Sequence, residues 1–378
     1  MKQFIPYGLQ SISREDREEV DHVLSGDWIT TGPKVAEFEE AIANYCGAKY
    51  GVAVSSGTAA LDIAVQALEL PEGSEIITTP LTFIATINSI IFNGHRPVLA
   101  DIKADTYNID PESIKQKITS RTKAIIYVNY AGQSCDLNQL KEIAKQHHLF
   151  LIEDAAQSLG AEYHGVKNGG FADLTILSFH PVKHITTGEG GMVLTNNEQL
   201  SGKLKILRNH GINKEMKDRL GPNSNWSYDI THLARNYRIT DFQCALGLSQ
   251  FQKLESFIQK REEIARKYTQ ELMNLPNIIV PSVKADVRHT WHLYPILVKG
   301  YNRDLFFQKM RERGVGVNVH HIPPYKFTYH QRFGWKAEDY PITEMVFQST
   351  LTLPIYPSLT EEEQNHIIQS IKNILREG

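Results

Sequence analysis

One lysine of this chain is placed where covalent chemistry could be done. Lys183 follows an apolar run at residues 175–177 and precedes a glycine-rich turn at residues 188–191. The amine of a lysine becomes a nucleophile when burial or a nearby positive charge lowers its pKa. A loop at the end of a strand in an α/β core provides burial, so Lys183 is a candidate nucleophile. A lysine in an ordinary surface loop would show the same local pattern.

A phosphate-binding turn is indicated upstream of the lysine. Ser56, Gly57 and Thr58 follow a short apolar run at residues 52–54 and open a helical segment. The first amides of a helix have no partner within the helix and, together with nearby hydroxyls, favour a bound phosphate. The turn matches neither the P-loop nor the G-x-G-x-x-G pattern, and a plain helix cap would account for the same residues.

A carboxylate and an aromatic ring stand at similar positions. Asp154 ends an apolar strand, at the edge where open α/β sheets place ligands. A buried carboxylate needs a cationic partner, and the protonated nitrogen of a pyridine ring meets that need and stays an electron sink. Asp154 could instead cap the next helix. Phe83 opens a helix after another strand and could stack on a flat ring, although packing in the core is the commoner role of a phenylalanine.

The elements that must hold these residues alternate along the chain. From about residue 50, short β-branched runs are separated by helical patterns such as residues 57–68 and 137–147. Continuous apolar strands of this kind predict a mostly parallel sheet covered by helices on both faces, and therefore an α/β fold. The predicted strands lie at residues 52–54, 76–77, 98–100, 125–128, 150–152 and 175–177.

The length of 378 residues exceeds the size of one ordinary core and predicts two domains. We expect a large domain over residues 1–245 and a smaller C-terminal domain over residues 246–378. A long helix at about residues 241–273 would connect them. The second domain mixes predicted strands, at residues 293–298 and 315–320, with helices.

Composition excludes several classes of protein. A net charge of −3, with 41% hydrophobic and 22% charged residues, lacks the basic excess expected of a nucleic-acid-binding protein. No stretch has the roughly 20 apolar residues of a membrane span, and we expect a cytoplasmic protein with no membrane partner. Cys46, Cys135 and Cys244 show no C-x-x-C spacing, which argues for buried, reduced thiols and against a disulfide framework or a zinc site.

The phosphate turn, the aromatic ring, the aspartate and the lysine follow one another in an order that resembles the fold-type I pyridoxal phosphate (PLP) enzymes. The similarity is closest to the sugar aminotransferases of the DegT/DnrJ/EryC1/StrS family and runs nearly from end to end. It is carried by the runs Gly32-Pro33-Lys34-Val35, Ser56-Gly57-Thr58-Ala59-Ala60-Leu61, Glu153-Asp154-Ala155-Ala156-Gln157, Asn236-Tyr237-Arg238-Ile239-Thr240-Asp241 and Leu353-Pro354-Ile355-Tyr356-Pro357, with the run around Lys183. The resemblance implies a large domain with a seven-stranded, mostly parallel sheet, a smaller α+β C-terminal domain and PLP as cofactor.

The resemblance also implies roles for the cofactor-binding residues. Lys183 would bond covalently to PLP and then act as the acid and base that moves the proton. Asp154 would pair with the ring nitrogen, Phe83 would stack on the ring, and Gln157 would approach its 3′-oxygen.

The phosphate would be held by Ser56, Gly57, Thr58 and Ser178. Asn236 would reach the phosphate of a neighbouring subunit, since family members form homodimers with shared active sites.

Four further residues fall where family members contact the nucleotide sugar. These are Tyr7, Thr30, His320 and His321. The adjacent histidines could also be an ordinary loop pair, and a metal site is disfavoured because no third and fourth ligand stands at zinc spacing. The loop at residues 26–33, which contains Thr30, could reflect turn chemistry alone.

The residues around Lys183 resemble those of the subgroup that works in the pseudaminic acid pathway. The pattern includes Phe179-His180-Pro181-Val182-Lys183 and Ile185-Thr186-Thr187. That resemblance implies amination of a UDP-linked 4-keto-6-deoxy-N-acetylhexosamine by L-glutamate, which leaves as 2-oxoglutarate, to form UDP-4-amino-4,6-dideoxy-N-acetyl-β-L-altrosamine. Gly57 and Gln157 stand where the subgroup often has alanine and histidine, and these departures bear on the sugar.

Proteins with this fold also include dehydratases, regulators and aminotransferases for other sugars. A deoxysugar dehydratase of the family replaces the lysine by histidine, so Lys183 argues against it. A regulator built on this fold would need a basic DNA-binding extension. Sister enzymes that make perosamine, bacillosamine precursors or 4-amino-arabinose stay open, because sugar choice depends on the loops at residues 28–31 and 320–325.

Overall fold

The computed structural model describes residues 4–214 and 226–377. Its helices are α1 (Arg14–Leu24), α2 (Pro33–Cys46), α3 (Gly57–Ala67), α4 (Ala85–Phe92), α5 (Pro111–Lys117), α6 (Leu137–His147), α7 (Glu198–Leu207), α8 (Asp241–Phe251), α9 (Leu254–Leu272), α10 (Arg303–Glu312), α11 (Pro341–Ser349) and α12 (Glu361–Glu377). Its strands are β1 (Tyr50–Val54), β2 (Glu75–Thr78), β3 (Arg96–Leu99), β4 (Thr122–Val128), β5 (Phe150–Asp154), β6 (Glu162–Tyr163), β7 (Val166–Lys167), β8 (Leu174–Ser178), β9 (Gly191–Thr195), β10 (Ile278–Ile279), β11 (Val287–Arg288), β12 (Tyr294–Val298) and β13 (Thr350–Leu353).

Seven strands of the described chain form the main sheet, in the order β1-β9-β8-β5-β4-β2-β3. The pairs from β8 to β3 are parallel, and β9 is antiparallel to both of its neighbours. The predicted mostly parallel, seven-stranded sheet is therefore confirmed. The hydrophobic runs had revealed six of these strands, whereas β9 begins inside the glycine-rich turn and was missed.

Both faces of this sheet are covered, as expected for continuous apolar strands. Alternate residues of a strand enter different hydrophobic clusters: Ile126 packs with α3, α4 and α7, whereas Ile125 packs with α6. The β1 end of the sheet packs against α2, α8 and α9. The parallel strands consequently end at one edge, where the register sets Val128 opposite Asp154 and Asp154 opposite Ile176.

The C-terminal part of the chain has its own hydrophobic core. Residues between Ile264 and Ile374 form it around β12 and β13, and Ile5 from the N-terminal segment joins them. Ile258, six residues earlier on α9, still packs with the large sheet. The division at about residue 245 stays a prediction, and the packing suggests a boundary within α9.

Two local predictions were wrong. The helix expected over residues 241–273 is divided into α8 and α9, and the break sets the amine of Lys253 2.6 Å from the buried carboxylate of Asp16. The segment at residues 315–320 forms no strand and pairs at single positions, Val315 with Ile5 and Asn318 with Thr352. Both outcomes depend on contacts with distant parts of the chain, which local pattern does not contain. Among the described helices, none is both long and apolar enough to cross a membrane.

Asp16 joins α1 to α8 and α9. Its fully buried carboxylate accepts hydrogen bonds from the hydroxyl of Ser249 at 2.6 Å and from the side-chain amide of Gln250 at 2.7 Å. It also accepts one from the amine of Lys253. Burial raises the pKa of Asp16, but these donors outweigh it and lower the pKa from 3.8 to about 2. Because the folded-state pKa is depressed, the stabilisation is present above pH 3.8 and is lost as the pH falls toward 2.

We predict that Lys253→Met lowers the free energy of unfolding by about 2 kcal/mol, since it removes a charged hydrogen bond to a buried carboxylate. Urea unfolding at neutral pH measures the change. Lys260→Met is the matched control, because its ion pair with Glu263 is exposed and should contribute less than about 1 kcal/mol. Equal midpoints for the two variants would show that Asp16 does not depend on Lys253.

Candidate active site

A cavity of about 490 Å³ opens at the carboxyl edge of the parallel strands. Strand ends form its floor, the starts of α3 and α4 form one wall, and residues 318–322 of the C-terminal part form another. All of the predicted site residues except Thr30 and Asn236 line it, namely Tyr7, Ser56, Gly57, Thr58, Phe83, Asp154, Gln157, Ser178, Lys183, His320 and His321.

The start of α3 has the geometry of a phosphate cradle. Ser56 is the N-cap of α3, and its hydroxyl accepts a hydrogen bond from the amide of Ala59 at 3.1 Å. A Cβ on Gly57 would lie 2.9 Å from the Cβ of Ser178, and one on Gly191 would lie 2.4 Å from the carbonyl oxygen of Ser56. These glycines let the helix start, the end of β8 and the start of β9 approach closely. The helix amides and two serine hydroxyls meet at one point, which suits a phosphate.

Asp154 is a buried carboxylate facing this cavity. One oxygen accepts a hydrogen bond from the hydroxyl of Thr86 at 2.8 Å, and the other accepts one from the amide of Ala156 at 3.2 Å. Burial raises the pKa of Asp154, and the opposing effects of the two hydrogen bonds and of Lys183 are smaller. A cation in the cavity would therefore be bound strongly here. Phe83 stands on the wall with 60% of the residue exposed, so it is free to stack on a flat ligand.

Lys183 has the environment that covalent chemistry requires. A tight turn, closed by a hydrogen bond from its own amide to the carbonyl oxygen of His180, carries it into the cavity. Burial lowers the pKa of Lys183 to about 8, the charge of Asp154 opposes this, and the charge of Arg261 adds to it. A minor fraction of the amine is therefore uncharged and nucleophilic at neutral pH, far more than for a lysine of ordinary pKa.

Gln157 and His321 form a pair across the two parts of the chain. The side-chain oxygen of Gln157 accepts a hydrogen bond from the amide of Ala131 at 2.8 Å, so its nitrogen faces the Nε2 atom of His321 at 3.1 Å. An amide nitrogen can only donate, and Nε2 of His321 is therefore the acceptor. Burial also lowers the pKa of His321 far below its usual range, which keeps the ring neutral.

His320 and Tyr7 lie together on the same side of the cavity. Their ring centroids are 5.5 Å apart, and Nδ1 of His320 lies 3.0 Å from the hydroxyl of Thr352. Burial lowers the pKa of His320 to about 3. Both histidines therefore meet a ligand as uncharged hydrogen-bonding groups.

Thr30 and Asn236 do not reach the cavity of their own subunit. Thr30 pairs with Thr240, and Asn236 pairs with Asn209, and both residues are exposed. The roles expected of them stay predictions.

Sequence reasoning missed two residues that contact the predicted ones. Thr86 stands three positions after Phe83, so helical spacing places it on the same face of the chain and could have revealed it. His292 lies with its Nε2 atom 3.4 Å from the amine of Lys183. The run His292-Leu293-Tyr294-Pro295 belongs to the subgroup resemblance, but no role for His292 could be inferred from it, because the neighbour of His292 is 109 residues away in sequence.

We predict that Gly57→Ala weakens PLP binding roughly 10-fold, equivalent to about 1.4 kcal/mol, because the new methyl group pushes α3 away from Ser178. Equilibrium dialysis measures the affinity. Gly202→Ala on α7 is the control, since a Cβ there meets nothing within 4 Å. Unchanged affinity in Gly57→Ala would mean that Ser178 moves aside for the methyl group and that the close approach at Gly57 does not set the affinity.

The observed groups fit PLP: a helix-start cradle for the phosphate, a buried carboxylate for the ring nitrogen and a lysine of lowered pKa for the aldehyde. Comparison with known proteins leads to the same cofactor. The sequence model of the DegT/DnrJ/EryC1/StrS aminotransferase family matches residues 10–372. The spore coat polysaccharide biosynthesis protein SpsC of Bacillus subtilis is 39% identical, over 99% of this chain and 97% of its own.

Solved structures extend the comparison. PseC of Helicobacter pylori, an aminotransferase involved in the biosynthesis of pseudoaminic acid, superposes with a TM-score of 0.94 at 32% identity, and the match covers 100% of both chains. The putative sugar aminotransferase Spr1654 of Streptococcus pneumoniae, solved in its PMP-form, has a TM-score of 0.93 at 31% identity over 99% of both chains. A PLP-form of it also has a TM-score of 0.93. The chain therefore belongs to the DegT/DnrJ/EryC1/StrS aminotransferase family and has the fold of the PLP-dependent fold-type I enzymes.

Proposed function

We propose that this protein transfers the amino group of L-glutamate to the C4 ketone of a UDP-linked 4-keto-6-deoxy-N-acetylhexosamine in the cytoplasm. The products are 2-oxoglutarate and a UDP-4-amino-4,6-dideoxy sugar for pseudaminic acid or a related surface glycan. One observation carries the proposal: Lys183, with a pKa near 8, and the buried carboxylate of Asp154 line the same cavity. The full-length similarity to PseC supports the sugar class.

The residues of the chain divide the work of such a transfer between them. Bound PLP supplies an electron sink for the exchange of an amino group. Asp154 would hold the ring nitrogen as a cation, because a carboxylate buried without a counter-ion would be unfavourable. The cradle at Gly57 and Ser178 would hold the phosphate, and Phe83 would lie against the ring.

Lys183 moves the proton. Its amine would take a proton from the α-carbon of the amino donor and hold it at Nζ for release within the cavity. A pKa near 8 suits this role, since Nζ can take up and release the proton at neutral pH. The same group returns the proton in the second half of the reaction, when the sugar ketone receives nitrogen.

The sugar nucleotide would bind beyond the cofactor. Tyr7, Asn318, His320 and His321 offer uncharged hydrogen-bonding groups on that side of the cavity. No arginine of the described residues lines the cavity, and Lys183 is the one lysine that does. A diphosphate would therefore be left without cations by a single subunit.

A second subunit would complete the site. Thr30 and Asn236 do not line the cavity of their own subunit, and large apolar side chains are exposed near them in sequence, with Ile29 at 52% and Leu233 at 93%. Exposed apolar groups of this size favour an interface. We therefore propose a homodimer in which Asn236 of one subunit reaches the phosphate bound by the other.

We predict that the purified protein, loaded with the pyridoxamine form of the cofactor, aminates UDP-linked 4-keto-6-deoxy-N-acetylhexosamine and fails to do so in Lys183→Ala. NMR spectroscopy of the product identifies the amino sugar, and borohydride reduction followed by mass spectrometry tests for cofactor bonded to Lys183. The panel includes the 4-keto precursors of perosamine, bacillosamine and 4-amino-arabinose. Equal turnover of a GDP-linked sugar would refute the UDP assignment, and no amination of any ketone would refute the function.

The shared site gives a separate prediction. Asn236→Asp sets a negative charge beside the partner's phosphate, and Lys183→Ala removes the nucleophile, so either homodimer should be inactive. Random exchange of the two variants should restore about a quarter of the wild-type activity, because half of the dimers then contain one intact site. Coupled assays after co-refolding measure the recovery. A fully inactive mixture that contains heterodimers would exclude a site shared through Asn236.

A further inference from the structure

His292 is placed to act on the catalytic lysine. It lies two residues before β12 and lines the cavity, and its Nε2 atom lies 3.4 Å from Nζ of Lys183. Within residues 4–214 and 226–377, this is the one side-chain hydrogen bond that the amine makes.

The direction of this hydrogen bond follows from the charges around it. His292 is buried, and burial lowers its pKa well below the usual range, as do Lys183, His184, Arg261 and His320. The ring is therefore neutral. Lys183, with a pKa of about 8, is mostly an ammonium group at neutral pH and can only donate. Nε2 of His292 therefore accepts, and the proton of the ring resides on Nδ1.

The other nitrogen of His292 distinguishes it from the buried histidines nearby. His184 bonds through Nε2 to the carbonyl oxygen of Thr290, and Nδ1 of His289 accepts a hydrogen bond from the amide of Trp291. Nδ1 of His292 is buried and has no partner among the described residues. Buried polar atoms are rarely left unpaired. The ring of His292 therefore makes its polar contact with Lys183 and, unlike those of His184 and His289, makes no hydrogen bond to the backbone among the described residues.

Arg261 fixes the position of this ring. Its buried guanidinium donates through Nη1 to the carbonyl oxygens of Ile355 at 2.8 Å, Trp291 at 3.2 Å and His292 at 3.4 Å. It therefore holds the backbone on which His292 is carried, and its charge opposes protonation of the ring.

We propose that His292 is a positioning residue, which accepts a hydrogen bond from the amine of Lys183 and holds it in place whenever the lysine is not bonded to the cofactor. The inference rests on the proposed role of Lys183. A free lysine side chain has four rotatable bonds, and confining it near the reacting carbon favours proton transfer and recapture of the cofactor. The groups that face the amine are Asp154, which favours its charge, Arg261, which opposes it, and the neutral rings of His184, His292, His320 and His321.

The test uses the full-length protein in its pyridoxamine phosphate form, in which Lys183 is a free amine. The rate of acetylation of Lys183, followed by peptide mass spectrometry across pH, gives its apparent pKa. His292→Leu removes the acceptor and adds apolar surface, so we expect this pKa to fall by about one unit. In full-length protein from which the cofactor has been removed, we also expect the rate at which added PLP bonds to Lys183, measured by borohydride trapping, to fall roughly 10-fold. His292→Gln retains an acceptor and should stay near wild type.

The control is His289→Gln, which alters another buried, neutral histidine that does not contact Lys183. It should leave both readouts unchanged. Wild-type values in His292→Leu, or equal loss in His292→Leu and His292→Gln, would overturn the positioning role. If wild-type protein itself traps no PLP on Lys183, the proposed function fails, whereas normal trapping that ignores residue 292 contradicts the inference alone.

Discussion

The site depends on the burial of two groups of opposite charge, Asp154 and Lys183, at one edge of the sheet. Each group stands at or just after a strand end, and each is deprived of water that would otherwise stabilise its charge. Burial raises the pKa of the acid and lowers the pKa of the amine, so both are drawn toward neutrality, while their mutual attraction resists this. The parallel register of β5 and β8 keeps them on one edge. A cationic ring between them would satisfy the carboxylate and leave the amine free to react.

The C-terminal part of the chain completes this edge and does not merely lie beside it. The amide of Thr290 donates to the carbonyl oxygen of Gly132, and the hydroxyl of Tyr130 donates to the carbonyl oxygen of His320. These bonds join the loop after β4 to the segments that carry His292 and the histidine pair. The wall of the cavity is therefore fixed relative to its floor by hydrogen bonds to backbone carbonyl groups.

The sequence predicted the residues that follow strand ends better than the partners those residues meet from distant parts of the chain. Asp154 and the helix start at Gly57 directly follow apolar strands, so local pattern places them at the sheet edge, and Lys183 lies in the loop that begins there. Thr86 could have been predicted in the same way, because it stands three positions after Phe83, at helical spacing. His292 was not, since its meaning depends on a lysine 109 residues away. The break between α8 and α9 was equally hidden, because its partner Asp16 lies on the first helix.

The pairing of Gln157 with His321 gives the cavity a chemical preference. With Nε2 engaged as an acceptor, the neutral ring has its hydrogen on Nδ1 and can offer a ligand a donor but no acceptor. An incoming ketone oxygen can meet such a ring, whereas an ammonium group cannot. A reaction that converts a ketone into an ammonium group would therefore yield a product that His321 binds less well than the substrate. An uncharged ring would in this way discriminate between substrate and product.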